Sequence, residues 1–263
     1  DTVLNVQTYG AAGVAQPSEQ LTVENPQFGF VRLSRGRQIV IRHAKPGAEY
    51  DSTGIQRAID AAHRAGGGTV YIPAGDYLIA PLELRSRVNL HLAAGAHLWG
   101  SPNLEDYYGK GKVLESSVDR GFGRKGRGLS GANKRRLIYA QDAEDVSITG
   151  MGSISAQSPK WVIPWLNSRP DDWLTERPTD TFLFHRCRRL RIEGIRILDT
   201  PSWTLVFDNC NDIRVHGITI HSIDMLNSDG IDLVNSSNAI ISDCRIHCTD
   251  DAICLKNMQP DTT

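Results

Sequence analysis

Three aspartates in the second half of the chain are the residues best suited to chemistry. Asp229 lies in the segment Asn-Ser-Asp-Gly, and Asp250 and Asp251 form a pair further on. Residues 229–233 overlay residues 251–255 at an offset of 22, with isoleucine over isoleucine and leucine over leucine. Such an offset fits one turn of a strand-built solenoid, in which stacked strands lie about 4.8 Å apart. We therefore expect Asp229 and Asp251 to be neighbours on successive coils, with Asp250 beside them.

Several carboxyl groups in one place suit acid–base chemistry at a glycosidic bond. Inverting hydrolysis needs a carboxylic acid at the leaving oxygen and a carboxylate that activates water. Asp229 and Asp251 could both hold that water, and the side chain of Asp250 should diverge from Asp251 toward a glycosidic oxygen. Two carboxylates about 5 Å apart repel by roughly 3 kcal/mol at an effective dielectric constant of about 20. We therefore expect one of the three to keep its proton well above the usual pKa of aspartate.

The same residues are compatible with two other roles. Asp-Gly and Asp-Asp are frequent in turns, where the side chain bonds to nearby backbone groups. Clustered carboxylates can also hold calcium through their oxygen atoms. The residues alone leave catalysis, calcium binding and plain turns open, and the shared coil spacing favours catalysis.

Short strands with a solenoid period must position these aspartates. From about residue 68 onward, apolar and polar residues alternate in short runs separated by turn residues, as in strands with one buried face. Similar segments recur at residues 146–150, 190–194, 213–217 and 239–243, the last three spaced by 23 and 26 residues. β-branched residues dominate, and the consensus of leucine-rich repeats is absent. The pattern predicts an all-β solenoid over residues 1–263, whose coils bury their inner residues by stacking.

Other segments interrupt or cover the predicted coil. Residues 53–56 have the character of a capping box and begin an amphipathic helix that three glycines, residues 66–68, should end. This α-helix is expected to cap the open N-terminal end of the solenoid. Residues 14–50 are predicted to be an inserted hairpin or loop. Residues 101–135 and 157–180 are predicted surface loops, and the second holds three tryptophans that should pack against the coil or stack on a sugar: Trp161, Trp165 and Trp173.

Composition narrows the classes of function. No run of 18 apolar residues occurs in the 263-residue chain, so we expect no membrane span. A net charge of −1 gives no general attraction for nucleic acid. We interpret the basic stretches at residues 124–136 and 186–191 as solvated faces, with a wall for an acidic polysaccharide and nucleic-acid contact as alternatives. Five cysteines show neither metal spacing nor a paired framework, and most are expected inside the coil.

The aspartate motifs resemble those of glycoside hydrolase family 28, the polygalacturonase-like enzymes. Residues 227–232 are similar to the family's Asn-Thr-Asp-Gly motif with serine for threonine, and residues 250–256 are similar to its Asp-Asp motif. Further segments fit the family pattern: residues 5–11, 51–60, 66–75 and 201–203. The resemblance spans most of the chain and implies a right-handed single-stranded parallel β-helix. It also implies inverting hydrolysis of pectin-type chains, with Asp250 as general acid and with Asp229 and Asp251 activating the water.

The sequence departs from the family pattern in three places. The insertion at residues 14–50 splits the opening motif, and residues 152–157 lack the usual Gly-x-Ile-Asp-Gly. The family's Gly-His-Gly and Arg-x-Lys, which would follow the Asp-Asp motif, do not occur before Thr263. The sequence is therefore expected to be either the N-terminal portion of a longer catalytic domain, whose C-terminal coils are missing here, or an inactive remnant, and we favour the former. Lys256 is the nearby cation that we nominate for binding substrate.

The leading hypothesis is an inverting glycoside hydrolase, with no cofactor or metal, acting on acidic plant-type polysaccharide that contains galacturonate or rhamnose. A calcium-dependent pectate or polysaccharide lyase and a non-catalytic glycan-binding β-helix are the alternatives. The resemblance implies a secreted or periplasmic protein. No nucleic-acid or membrane partner is expected, and the oligomeric state stays open.

Overall fold

The structure is a computed structural model that describes residues 2–28, 31–107, 136–169, 171, 174, 177–225 and 227–257. It is a right-handed single-stranded parallel β-helix, as the repeats and the family resemblance predict. From residue 68 onward each coil contributes one strand to each of three parallel sheets, and Val3–Asn5 adds a seventh strand to the first sheet.

The three sheets stack strands from successive coils in parallel. The first sheet contains β1 (Val3–Asn5), β6 (Gly68–Ile72), β9 (Val88–Leu92), β12 (Glu144–Gly150), β15 (Arg188–Glu193), β18 (Asn211–His216) and β21 (Ser237–Ser242). The second contains β7 (Gly75–Ile79), β10 (Ala96–Gly100), β13 (Ser153–Ser155), β16 (Arg196–Leu198), β19 (Thr219–Ser222) and β22 (Arg245–Cys248). The third contains β8 (Leu82–Glu83), β11 (Ile138–Gln141), β14 (Phe182–His185), β17 (Leu205–Asp208), β20 (Ile231–Val234) and β23 (Ile253–Lys256).

The repeat seen in the sequence is the register of the first sheet. Val146 pairs with Leu190, which pairs with Ile213, which pairs with Ala239. Because alternate side chains of a strand point to opposite faces, this register stacks the apolar residues of every coil into one interior column. The sequence prediction of stacked coils is confirmed, and the continuous apolar core runs from the N-terminal coil to Leu233.

An α-helix covers the N-terminal end of the coil, but the predicted capping box is wrong. Helix α1 (Asp51–Arg64) begins before Thr53, and its preceding residue Tyr50 makes no side-chain capping bond. The buried Asp51 carboxylate instead accepts backbone N–H bonds at 2.7–2.9 Å from residues 12–14 and from Leu78. One side chain thus ties the chain's first turn and strand β7 to the start of the helix.

A second layer packs on the outside of the coil. Strand β2 (Ala15–Thr22) pairs with β5 (Gln38–Ala44) in an antiparallel hairpin, and the short pair β3 (Gln27–Phe28) and β4 (Val31–Arg32) extends it. Helix α2 (Pro159–Asn167) lies against this hairpin. We call the hairpin and α2 together the inserted layer. It has its own apolar cluster, which Met225 of the coil joins: Val23, Leu33, Val162, Ile163, Leu166 and Met225.

Of the two loops predicted from the sequence, one contains a helix and the other lies mostly outside the described residues. The prediction of an irregular stretch at 157–180 is wrong for residues 159–167, which form α2, because the prolines stand near its start and within it without ending it. Trp165 packs on Phe28 of the hairpin, with ring centroids 4.5 Å apart, and Trp173 lies outside the described residues. Of the loop predicted at 101–135, the described part ends with a 3-10 helix at Leu104–Tyr107, and residues 108–135 lie outside the described ranges.

Within the described part of the chain, helices are too short or too polar to cross a membrane.

Candidate active site

Strands β20 and β23 bring Asp229 and Asp251 together. Their register pairs Ile231 with Ile253, and the Gly230 N–H donates to the Asp251 carbonyl at 2.8 Å. The two aspartates therefore enter the third sheet at the same level of successive coils. Ligand atoms of Asp229, Asp251 and Cys254 all lie within 4.8 Å of one another. The structure therefore places Asp229 beside Asp251, as the 22-residue offset predicts.

Asp250 lies at the exposed side of the same turn. Its Oδ1 accepts the Asp251 N–H at 3.0 Å, which turns the carboxylate back over the start of β23. Its negative charge is close enough to contribute to raising the pKa of Asp229. All three aspartates named from the sequence thus occupy one region, with Asp229 buried and the other two exposed.

The ammonium group of Lys256 is held by two buried carboxylates. Its Nζ lies 2.7 Å from Oδ2 of Asp229 and also contacts Oδ1 of Asp232. The same Nζ stands 4.1 Å from the centre of the Trp203 ring, where the negative face of the indole attracts a cation. Only 14% of the Lys256 side chain is exposed. Binding of substrate by Lys256 stays a prediction, and its contacts in the structure are to the protein.

Asp232 and Trp203 are the site residues that the sequence reasoning did not nominate. A signal for Asp232 was available, because Ile231 and Leu233 point inward and the residue between them must point outward beside Asp229. Trp203 lies two residues before β17 and is buried. Cys254 shares the outward position on β23, so the expectation of cysteines inside the coil fails for this one. It holds for Cys187 and Cys210, which are buried in the core.

A buried hydroxyl network fixes the turn that carries Asp229. The Ser228 hydroxyl donates to Ser222 at 2.8 Å and lies 3.0 Å from the Thr200 hydroxyl. Thr200 in turn bonds to Ser222 at 2.6 Å and lies 2.9 Å from the Thr204 hydroxyl. These residues come from two successive coils, at the turns that connect the second sheet to the third. The network explains why a small hydroxyl residue precedes Asp229, since a larger side chain would not fit there.

Burial, more than repulsion among the three nominated aspartates, sets the electrostatics of the site. Burial is the main cause that raises the pKa of Asp229, and hydrogen bonding to Lys256 opposes it. Burial together with the charge of Asp229 raises the pKa of Asp232 to about 8. Within the trio, the pKa of Asp229 is raised, with burial as the main cause and the charge of Asp250 as a lesser one. The carboxyl group whose pKa rises to about 8 is Asp232, which the sequence prediction did not name.

The donor set does not suit calcium. Calcium takes six to eight oxygen ligands, whereas the described cluster offers two carboxylates and the soft sulfur of Cys254. Oxygen Oδ2 of Asp229 already faces the Lys256 ammonium group, which would repel a cation. The residues present therefore do not form a calcium site of the usual kind.

The basic stretch at residues 186–191 faces acidic partners. Arg186 bonds to Asp142 at 2.6 Å, and Arg189 bonds to Asp145 at 2.7 Å. Arg188 and Arg189 both contact Glu144. These exposed pairs support a solvated face rather than a positive wall. Of the other stretch, Arg136 is described, and it is buried with Asp180 at 3.1 Å.

A protein-family model and several known proteins match this chain. The model of glycosyl hydrolases family 28 matches residues 114–261, which is 148 of 263 residues. A probable polygalacturonase of Vitis vinifera is 28% identical over 194 residues, which are 73% of this chain and 37% of the relative. Mannuronan C5-epimerase AlgE1 of Azotobacter vinelandii is 41% identical over 73 residues, covering 28% of this chain and 5% of the epimerase.

Solved structures show the same fold. The exopolygalacturonase of Thermotoga maritima superposes with a TM-score of 0.69 at 21% identity, covering 98% of this chain and 55% of that one. The family 28 exopolygalacturonase of Yersinia enterocolitica gives a TM-score of 0.65 at 18% identity, covering 97% and 44%. The chain thus spans 55% of the Thermotoga maritima structure, 44% of the Yersinia enterocolitica structure and 37% of the Vitis vinifera relative.

Proposed function

Because the chain belongs to glycosyl hydrolases family 28, we propose that it is part of an inverting hydrolase of pectic polysaccharide containing galacturonate or rhamnose. The observation that carries the proposal is the juxtaposition of Asp229 and Asp251 on successive coils, with Asp250 at the exposed edge of the same turn. This arrangement gathers three carboxyl groups at one turn, two of them exposed to solvent.

The proposed roles follow from exposure and contacts. Asp250 is exposed at the turn, where it can donate a proton to the glycosidic oxygen as the bond to the anomeric carbon breaks. Asp229 and Asp251 hold a water between them and accept its proton as its oxygen attacks the opposite face of the sugar. The Lys256 ammonium group at 2.7 Å favours the ionised form of Asp229 that this step requires. Attack from the opposite face inverts the configuration at the anomeric carbon.

The choice of substrate rests on family membership and on the relatives that are named polygalacturonases. A galacturonate chain carries one carboxylate per sugar, so the full site must supply cations. Pectic polymers lie outside the cell, so we also propose a secreted or periplasmic protein. Detection of the protein in the culture medium or periplasm, rather than in the cytosol, tests this location.

Substitution of Asp250 tests the assignment directly. Asp250→Asn removes the transferable proton and should lower the rate of polygalacturonate cleavage by about 10²-fold or more. The matched control is Asp243→Asn, because Asp243 is an exposed aspartate away from the site. Reducing ends measure the rate, and NMR of the first product should show the inverted anomer. A rate for Asp250→Asn equal to that of the control would refute the role of Asp250.

A lyase is the second candidate, because alginate lyase 7 of Azotobacter vinelandii is 32% identical over 100 residues, 38% of this chain. Elimination yields an unsaturated sugar that absorbs in the near ultraviolet, and calcium-dependent lyases stop when the metal is chelated. Cleavage that persists in chelator, without new ultraviolet absorbance, supports hydrolysis. Sugar binding without any cleavage would instead support the non-catalytic alternative.

A further inference from the structure

Asp229 and Asp232 form a buried pair of carboxyl groups with an unusual balance of partners. Asp229 is 3% exposed and Asp232 is fully buried. One oxygen of each, Oδ2 of Asp229 and Oδ1 of Asp232, contacts the Lys256 ammonium group. The other oxygen of each, Oδ1 of Asp229 and Oδ2 of Asp232, is buried without a hydrogen-bond donor among the described residues. Two orphaned acceptors in one buried pair require a physical explanation.

Charge balance poses the same problem. Two ionised carboxylates and one ammonium group leave a net negative charge in a site that is shielded from water. An uncompensated buried charge costs several kcal/mol, on the order of the stability of a small domain. One additional proton removes the excess charge, and it also turns one orphaned acceptor into a donor for the other.

We propose that Asp229 and Asp232 share one proton between their unpartnered oxygens, and that Asp232 and Lys256 are positioning residues that hold Asp229 ionised. The proton resides on Asp232 and is donated to Asp229, and the Lys256 ammonium group bridges the two remaining oxygens. This inference deepens the proposed function, on which the role of Asp229 rests.

The electrostatic surroundings of Asp232 and Lys256 favour this arrangement. Burial and the Asp229 charge raise the pKa of Asp232 to about 8, and a hydrogen bond between the two carboxyl groups adds to the increase. Burial leaves the pKa of Asp229 above its usual value, while Lys256 and the hydrogen bond with Asp232 oppose that rise. Although burial favours neutral Lys256, its bonds to the two carboxylates raise its pKa above the usual value.

Other titratable groups face the pair and belong in any account of its pH dependence. Asp250 contributes to raising the pKa of Asp229. Asp251 and Cys254 have ligand atoms within 4.8 Å of Asp229, and the Cys248 thiol donates to the Asp250 carbonyl at 3.4 Å. Asp250 and Asp251 are exposed, and Cys248 and Cys254 are half-buried. Solvent therefore screens the aspartate charges, while the Lys256 contacts remain shielded.

The first experiment removes the cation and follows the pH profile of the full chain. Lys256→Met should move the acidic limb of kcat/KM upward by about one pH unit, so the loss of kcat/KM at pH 5 exceeds that at pH 7 by up to about tenfold. Lys256→Arg keeps the charge and should return the limb toward the wild-type position. A loss that is equal at every pH, or an arginine variant no better than methionine, would mean that Lys256 only supports the fold.

The second experiment observes the proton without relying on activity. Infrared difference spectra of protein labelled with ¹³C at the aspartate carboxyl groups should show a protonated carboxyl band at pH 7.5 that disappears in Asp232→Asn. This pH is chosen because Asp199, whose pKa burial raises to about 6, is ionised there. Asp243→Asn, the exposed control, should retain the band. The absence of the band in the wild-type protein, or its persistence in Asp232→Asn, overturns the shared proton.

The two proposals can fail separately. A band lost in Asp232→Asn, in a protein that never cleaves a polysaccharide, preserves the shared proton and refutes the hydrolase. Cleavage that depends on Asp250, in a protein without the band, preserves the hydrolase and refutes the shared proton. In Asp232→Asn the amide can still donate to Asp229. The acidic limb of kcat/KM should therefore stay at the same pH, and kcat/KM should fall by about threefold. A limb displaced to lower pH would show that Asp232 is ionised in the working protein.

Discussion

The coil and the inserted layer place residues at the site by different means. In the coil, each side chain meets its counterpart one strand away, as Phe184 meets Phe207 with ring centroids 5.2 Å apart. In the inserted layer, contacts join segments far apart in sequence and occur once, as between Phe28 and Trp165. The coil therefore fixes which aspartates become neighbours, whereas the inserted layer contacts the turn before Asp229 through Asp224 and Met225. The difference predicts unequal responses to mutation.

The largest expected difference concerns two phenylalanines. Phe207→Ala should destabilise the protein by about 4 kcal/mol, because its ring is fully buried within the coil and its removal leaves a cavity. Phe28→Ala is the matched change in the inserted layer, where the ring is half-buried. It should cost about 1–2 kcal/mol and act locally. Urea unfolding measures both changes.

The local character of the second change is the sharper test of this comparison. Phe28→Ala should increase hydrogen exchange in the hairpin at residues 15–44 and leave strands β14 to β20 protected. Phe207→Ala should lower protection throughout the coil, since neighbouring coils depend on one another. Equal losses of stability, with equal spread of exchange, would show that the two regions unfold as one unit.

An intermediate effect is expected where the inserted layer meets the turn before Asp229. Arg37 bonds to Asp224 at 2.9 Å, and the Asp224 side chain is 3% exposed. Arg37→Met would leave that carboxylate buried without its cation, which costs 3–5 kcal/mol for fully buried pairs and about 2 kcal/mol here, where Arg37 is partly exposed. Because Asp224 lies five residues before Asp229, we also expect about tenfold lower activity, equivalent to about 1.4 kcal/mol.

Arg35→Met provides the control for this change. Arg35 is an exposed arginine in the same turn, and no ion pair is described for it among the residues in the structure. Its substitution should alter stability by less than about 0.5 kcal/mol. Thermal unfolding and reducing-end assays of the two variants, side by side, separate a general loss of positive charge from loss of the Asp224 contact. Indistinguishable variants would remove the inserted layer from any role in positioning the site.

The sequence predicted the coil far better than the inserted layer, for a physical reason. In a solenoid the strand register follows from the repeat period of the sequence. The pairing of Ile231 with Ile253 could therefore be predicted from their 22-residue spacing. The role of Asp51 could not be, because its carboxylate bonds to residues 12–14 and Leu78, far from it in sequence. No local pattern distinguishes such a residue from an ordinary helix N-terminus.

The candidate site shows the same division. Period and spacing predicted the neighbourhood of Asp229 and Asp251. The partnership of Lys256 with Asp232 needs a diagonal contact between two strands, which alternation makes possible but does not specify. The depth at which that contact is buried depends on the segments that cover the third sheet. Burial sets the pKa values, so the residues could be named from sequence while their protonation could not.

The smallest expected effect is a pH dependence at the seam between coil and inserted layer. Burial, together with the nearby charge of Asp224, raises the pKa of Asp199 to about 6, while Ser155 and Arg37 oppose the shift. The folded protein therefore holds this proton more tightly than the unfolded chain, in which aspartate titrates near 3.9. Asp199 contributes stability that is complete below about pH 4 and is lost as the pH rises through about 6. The full shift corresponds to about 3 kcal/mol, and solvent screening of this half-buried group reduces it to about 1 kcal/mol.

Asp199→Asn isolates this contribution. Asparagine is isosteric with the protonated acid and tolerates the left-handed backbone at this position, where φ is 51°. The stability of the wild-type protein minus that of the variant should fall by about 1 kcal/mol between pH 4 and pH 7. Asp171→Asn, at an exposed position for which no ion pair is described among the residues in the structure, should give a difference that is flat across the same range. A difference for Asp199→Asn that rises with pH would mean that the ionised carboxylate is the favoured form, held by Arg37, and that the inserted layer stabilises the coil through charge at this seam.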